Sequence, residues 1–189
     1  MAPRSILIST VGTSLFRPNL ENLRQSFEEQ KCSVELLSLA NAYTSRDWKT
    51  VGKALRALPP SDRICGAEIN SITSMVEHHY VHPDCGLFFL HSDTPEGHNI
   101  AAVLESYFES TNSPVQTIAV INLQDEDPKR FRTKGLRALS REVCRVIRDR
   151  TAAACAINAT GGYKAQIAIA VLLGQALSVP VYYKHERFS

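Results

Sequence analysis

Neither charge is in excess in this sequence. The 21 Lys and Arg stand against 19 Asp and Glu, for a net charge of +2. So even a balance excludes the broad positive field that holds long nucleic acids, and any nucleotide must be held by local groups. There is no apolar run near the ~20 residues that a membrane span needs. The opening Met1-Ala2-Pro3-Arg4 leads straight into an apolar stretch, without the pattern of a signal peptide. The five cysteines, Cys32, Cys65, Cys85, Cys144 and Cys155, are odd in number and scattered. None has the close spacing of a metal or redox pair, so reduced thiols in a cytoplasmic protein are expected. His78, His79 and His82 lie together but have no second cluster at metal-site spacing. No metal and no cofactor are therefore expected. Internal repeats, low-complexity segments and linkers are also missing.

What is present is an alternation. Short apolar runs at 5–11, 33–39, 86–91, 115–121, 152–157 and 180–183 read as strands. Amphipathic stretches at 18–30, 46–58, 61–79, 95–110, 128–149 and 162–177 read as helices. Fully apolar strands between long helices predict an α/β fold, a six-stranded, mainly parallel sheet with helices on both faces. With 189 residues and 44% hydrophobic content, one domain over residues 1–189 is expected. Pro59-Pro60 interrupts two helices without dividing domains.

Two strand ends carry chemistry. The strand at 152–157 runs into Asn158-Ala159-Thr160-Gly161-Gly162-Tyr163-Lys164, and a helix opens directly behind it. Amides at a helix start have no internal partner and carry partial positive charge. Paired glycines let a ligand approach them, and Lys164 adds a full charge, which is how a phosphate seat is built. The alternative is a tight turn with a solvated lysine. The segment is not a Walker loop, because Lys164 is followed by Ala165 rather than Ser or Thr. The strand at 5–11 ends similarly, in Thr10-Val11-Gly12-Thr13-Ser14 ahead of a helical pattern. Hydroxyls there suit either a phosphate oxygen or a helix cap. Two such turns suggest a ligand with more than one phosphate.

Other candidates are weaker. In His91-Ser92-Asp93-Thr94-Pro95-Glu96-Gly97, Asp93 is expected to cap a helix, with Glu96 three residues later. Ser92, Asp93 and Thr94 could equally line a ligand. Asn122 and Gln124, after the fourth strand, could read a base edge, since amides both donate and accept. Asp125, Glu126 and Asp127 are expected to face solvent, and Asp127-Pro128 to open a helix. The run Lys129, Arg130, Arg132, Lys134 and Arg137 reads as a solvated helix face. Tyr182, Tyr183, His185 and Phe188 suggest packing or a subunit contact.

Taken together, Ser9-Thr10-Val11-Gly12-Thr13-Ser14-Leu15, Ala67-Glu68-Ile69-Asn70-Ser71-Ile72, Ser92 to Gly97, Arg130 to Leu136, Asn158 to Lys164 and Pro180 to Tyr183 resemble the CRISPR-associated Rossmann-fold (CARF) domain. The resemblance spans nearly the whole chain with the motifs in order. It implies a Rossmann-like homodimer that binds cyclic oligoadenylate, a messenger of type III CRISPR systems, across its two-fold axis. Cyclic tetra-adenylate is the expected ring. Larger relatives attach an effector to this domain. No stretch here is left for one, so the chain is expected to resemble the ring nucleases, which cut the messenger without a metal. The ribose 2′-hydroxyl would attack the adjacent phosphate, leaving a 2′,3′-cyclic phosphate. The resemblance gives catalytic roles to Ser14 and Lys164. It places Thr10, Gly12, Thr13, Thr160, Gly161, Gly162 and Tyr163 around the ligand. It identifies no general base. A sensor that binds the ring intact and an ordinary Rossmann-like enzyme are the rival expectations.

Overall fold

Along strand β1 (Arg4–Thr10), neighbouring side chains point to opposite faces of a sheet, and both faces are covered. Leu7 enters one core and Ile8 the other. The same two-residue period divides Leu87 and Phe89 from Phe88 and Leu90 on β2 (Val81–Ser92). This is the geometry of a parallel strand buried on both sides. The structure is a computed structural model that describes residues 2–29, 33, 36–109, 114–124 and 127–185. The remaining strands are β3 (Val115–Val120), β4 (Cys155–Asn158) and β5 (Val181–Tyr182).

On one face lie α1 (Glu21–Glu28), α2 (Leu37–Thr44), α3 (Trp48–Leu55), α4 (Gly66–Glu77) and α5 (Pro95–Phe108). Val51, Leu55, Ile69, Ile72, Ile100 and Leu104 from these helices pack around Leu7 and Phe89. The other face is covered by α7 (Leu136–Arg150), which follows β3 and the single turn α6 (Pro128–Arg130), and by α8 (Lys164–Leu177), which follows β4. Phe89 is fully buried and its ring meets Phe108 at 5.7 Å. Cutting such a side chain to Ala costs about 3–5 kcal/mol.

All strands are parallel, in the order β3-β2-β1-β4-β5. The architecture is Rossmann-like, with five strands among the described residues rather than six. The strand expected at 33–39 is the difference. Val34 and Glu35 lie outside the described residues, but Leu37–Thr44 is helix α2. Its apolar residues read alternately over a few positions. Over a longer stretch, Leu36, Leu39, Ala40 and Tyr43 follow the helical spacing, and all four pack into the same core. Phe16, Tyr43 and Trp48 then form an aromatic cluster, with centroids 5.0–5.8 Å apart.

Several boundaries also move. β2 begins at Val81, five residues earlier than the apolar run, with a shift of register between Arg4↔Val81 and Ile6↔Gly86. The exposed His82-Pro83-Asp84 occupies that irregularity, where Pro83 need not supply an N–H. The helix expected at 18–30 is in fact the wide turn Leu15–Leu20, interrupted by extended backbone at Arg17, followed by α1. Helix α5 is capped by Thr94, whose Oγ1 accepts from the Gly97 N–H at 3.1 Å, and not by Asp93. Asp93 instead meets His98 at 2.9 Å, and Glu96 pairs with Arg17 at 3.1 Å. Asp127 does cap α6, accepting from the Arg130 N–H at 2.9 Å. Asp125, Glu126 and Phe188 lie outside the described residues. No helix among the described residues is long and apolar enough to cross a membrane.

Candidate functional site

The sheet order reverses between β1 and β4, so the connections leaving those neighbouring strands turn to opposite faces. A crevice opens at such a switch point, outside the carboxyl ends of the strands. Both glycine turns are found there. They touch: a Cβ added to Gly12 would lie 2.6 Å from the Gly162 nitrogen. The cleft between them holds about 270 Å³ and reaches from Gly12, Thr13, Ser14 and Arg17 to Thr160, Gly161, Gly162 and Tyr163. His91, Ser92, Ala67, Leu123 and Gln166 also line it.

A buried polar network sets the turn after β4. Asn158 is fully buried at the strand end. Its Nδ2 donates to Ser9 Oγ at 3.1 Å and Ser71 Oγ at 2.8 Å. Its Oδ1 accepts from the Thr160 N–H at 3.2 Å and the Thr160 hydroxyl at 2.7 Å. Thr160 Oγ1 in turn accepts from the Lys184 N–H at 3.0 Å. The side chain thus ties β1, α4 and its own turn together. Thr10, 1% exposed, donates its hydroxyl to the Gly161 carbonyl at 2.5 Å. Gly162 has φ +100, a conformation that side chains resist.

Two buried acceptors beneath these turns lack a hydrogen-bond partner, Glu68 Oε2 and Gln166 Oε1. Glu68 is fully buried on α4. Its Oε1 accepts from the Gly12 N–H at 2.7 Å. Gly161 passes so close that an added Cβ would stand 2.1 Å from the same oxygen. Burial pushes the Glu68 carboxyl up to about 7, against the lowering by its hydrogen bond from Gly12 and by its own backbone amide. Gln166 lies under Gly162 in the same way, 1.8 Å from where a Cβ would be.

His91 ends the apolar part of β2 and is 2% exposed. Its Nδ1 lies 2.9 Å from the Ser92 carbonyl, which accepts and so fixes the proton on Nδ1. Burial lowers its pKa, so the neutral ring carries its lone pair on Nε2. The His98 ring stands edge-on to it at 4.8 Å.

Of the residues expected at the site, Gly12, Thr13, Ser14, Ser92, Thr160, Gly161, Gly162 and Tyr163 line the cleft. Thr10 lies beneath it with its hydroxyl engaged. Ser14 Oγ accepts from the Ala67 N–H at 3.3 Å, at the start of α4. Lys164 is exposed in the first turn of α8, beside the cleft rather than in its wall. Asp93, Thr94, Asn122 and Gln124 do not line it. Asn122 has φ +59 and its carbonyl sits against Gly135, so it shapes the turn after β3.

Glu68, His91, Arg17 and Gln166 had no individual role in the sequence reading. Glu68 left a signal: with Cys65, Ile72 and Met75 it falls on the apolar stripe of α4. An acid on a buried stripe is rare unless it has a task. Gln166 likewise shares its stripe with Ala170 and Gly174.

The site is open, sits at strand ends, and is built from backbone turns and buried polar groups, with the exposed Lys164 beside it. That is a frame for a nucleotide-like anion. No curated protein matches the sequence significantly. A family model described as CRISPR-associated protein (Cas_APE2256) matches residues 63–189, more than half of the chain and inclusive of α4, β4 and the glycine turn before α8. The chain belongs to this CRISPR-associated family, Cas_APE2256.

Proposed function

We propose that the protein binds cyclic oligoadenylate, with cyclic tetra-adenylate as the expected ring, and cleaves it, switching off type III CRISPR signalling. The observation that supports this reading is the meeting of two glycine turns in one open cleft at the switch point, with the amino end of α8 in its wall. A cleft of about 270 Å³ falls just below the roughly 300–1,000 Å³ of small-ligand sites. It suits part of a four-nucleotide ring and not the whole. A second copy of the chain would complete the site, which makes a homodimer part of the proposal.

The chemistry follows from these groups. The substrate's ribose 2′-hydroxyl is the nucleophile, so the protein must align it with the leaving 5′-oxygen. His91 Nε2 takes the 2′-proton as the oxygen attacks phosphorus. Lys164 and the amides of the α8 amino end stabilise the charge on the phosphorane. The P–O5′ bond breaks, the 5′-oxygen takes a proton from water, His91 returns its proton to solvent, and a 2′,3′-cyclic phosphate remains.

A sensor that holds the ring intact is the second reading. It is favoured by Ser14, whose hydroxyl is engaged at α4. Incubation of pure protein with labelled cyclic tetra-adenylate and EDTA separates the two. Linear products with 2′,3′-cyclic phosphate ends are expected. Tight binding without products would favour the sensor, and no binding would remove both.

A further inference from the structure

The backbone N–H of Gly12 points at an internal carboxyl group. In the sequence, that amide belongs to a turn suited to phosphate. In the structure, Glu68 Oε1 already occupies it at 2.7 Å. The same oxygen lies where a Gly161 side chain would be, 2.1 Å from an added Cβ, so it also borders the opposite wall of the cleft. The second oxygen, Oε2, is buried and has no donor. A full charge shared over two such oxygens is costly, because one of them has lost water and gained nothing. A proton on Oε2 removes the buried charge, the larger part of that cost, and leaves the bond to Gly12 intact.

We propose that Glu68 is a proton-operated positioning residue of the cleft: as a neutral acid it holds the two glycine turns in place around an entering anion, and as a carboxylate it opposes the anion's charge. This rests on the cleft being an anion site, as the proposed function requires. When the ligand's phosphate enters above Gly12 and Gly161, an ionised Glu68 would face it as a like charge in a low-dielectric setting. Binding therefore takes up one proton from solvent whenever Glu68 starts ionised.

The surrounding elements supply few competitors. His91 faces the cleft from β2 and Arg17 from the turn after β1, where it is paired with Glu96. Tyr163 faces it from the turn before α8, and Cys65 and Arg63 precede α4. Burial lowers the pKa of His91 below the ordinary imidazole value, while burial pushes Glu68 up to about 7. Cys65 is pushed up to about 12 and stays a thiol.

The test is the affinity of the full chain for cyclic tetra-adenylate, and separately for sulfate, by calorimetry from about pH 6 to about pH 8.5. Neither probe changes charge there. The unsubstituted protein should lose affinity by up to about tenfold per pH unit above about pH 7, and calorimetry should record proton uptake. Glu68→Gln keeps an acceptor for Gly12 and cannot ionise. It should lose the pH slope and bind more tightly than the unsubstituted protein at high pH. A flat profile in the unsubstituted protein, or the same slope in Glu68→Gln, overturns the proposal and leaves ring binding standing. Proton-linked sulfate binding without ring binding keeps the proposal and removes the ring. If neither anion binds at any pH, both fall.

Discussion

The two glycine turns look alike in sequence and behave differently in structure. The turn after β1 is closed on itself. Its Gly12 amide is held by Glu68, its Ser14 hydroxyl accepts from Ala67, and a regular helix begins only at Glu21. The turn after β4 opens directly into α8, and no side chain at the N-cap position caps that helix. The second turn is therefore the stronger anion seat, because α8 starts without a side-chain cap and carries a lysine in its first turn, although its Gln166 N–H already donates to the Tyr163 carbonyl at 2.8 Å. The first turn is a wall whose position is set from beneath. A short motif of small residues shows where a strand ends; it does not show whose hydrogen bonds the amides make.

The sharpest break of this comparison is Gly161→Ala. Its Cβ would stand 2.1 Å from Glu68 Oε1 and 2.7 Å from the Thr10 carbonyl, and backbone cannot move aside cheaply. A loss of about 3–4 kcal/mol is expected, read by denaturant unfolding. If Gly161→Ala kept full stability, the two turns would not be locked together.

Next is the pH dependence of stability. Glu68 has a folded pKa of about 7, raised by burial from the ordinary 4.5. Below the ordinary value both states are protonated and nothing is lost. As pH rises from there to about 7, the unfolded chain ionises this carboxyl while the folded state keeps its proton, so stability falls across that window and levels off above it. Glu68→Gln should therefore gain on the unsubstituted protein between those values, by up to about 3 kcal/mol, and hold that lead above. Thermal unfolding at several pH values checks this, and a constant difference would place the carboxyl in a polar setting.

Lys164→Ala should slow ring cleavage by on the order of a hundredfold, about 2.7 kcal/mol, with the fold unchanged. Single-turnover kinetics reads it, and an unchanged rate would move the charge stabilisation elsewhere. His91→Asn should cost a similar factor and abolish the fall in rate at acid pH that protonating Nε2 causes. The smallest effect is expected at the closed turn. Ser14→Ala should reduce cleavage about tenfold through misplaced substrate, roughly 1.4 kcal/mol, and destabilise by about 1 kcal/mol through its lost contact at α4. A larger catalytic loss than that of Lys164→Ala would invert the ranking of the two turns.

Much of this was legible beforehand. The parallel sheet follows from β1, β2 and β4, whose residues are apolar at both parities, and the two turns follow from Gly12 and Gly161-Gly162. The segment 33–39 misled because a short apolar run fits strand and helix equally. Asp93 and Thr94 compete for the cap of α5 because acids and hydroxyls serve that role alike, and the backbone places Thr94 there. Asn122 and Gln124 are amides at a strand end, yet the turn after β3 carries them away from the cleft wall.

By itself, then, the sequence determined the layers of the fold and the two strand ends at which a ligand could sit, because periodicity and glycine are local properties. Tertiary structure alone decided that β1 and β4 are neighbours, and so that residues about 150 positions apart form one cleft. It also decided that Glu68 and His91, unremarkable as letters, lie under and beside that cleft with altered protonation. Burial and orientation are set by what packs around a side chain, and that is known only when the chain has closed on itself.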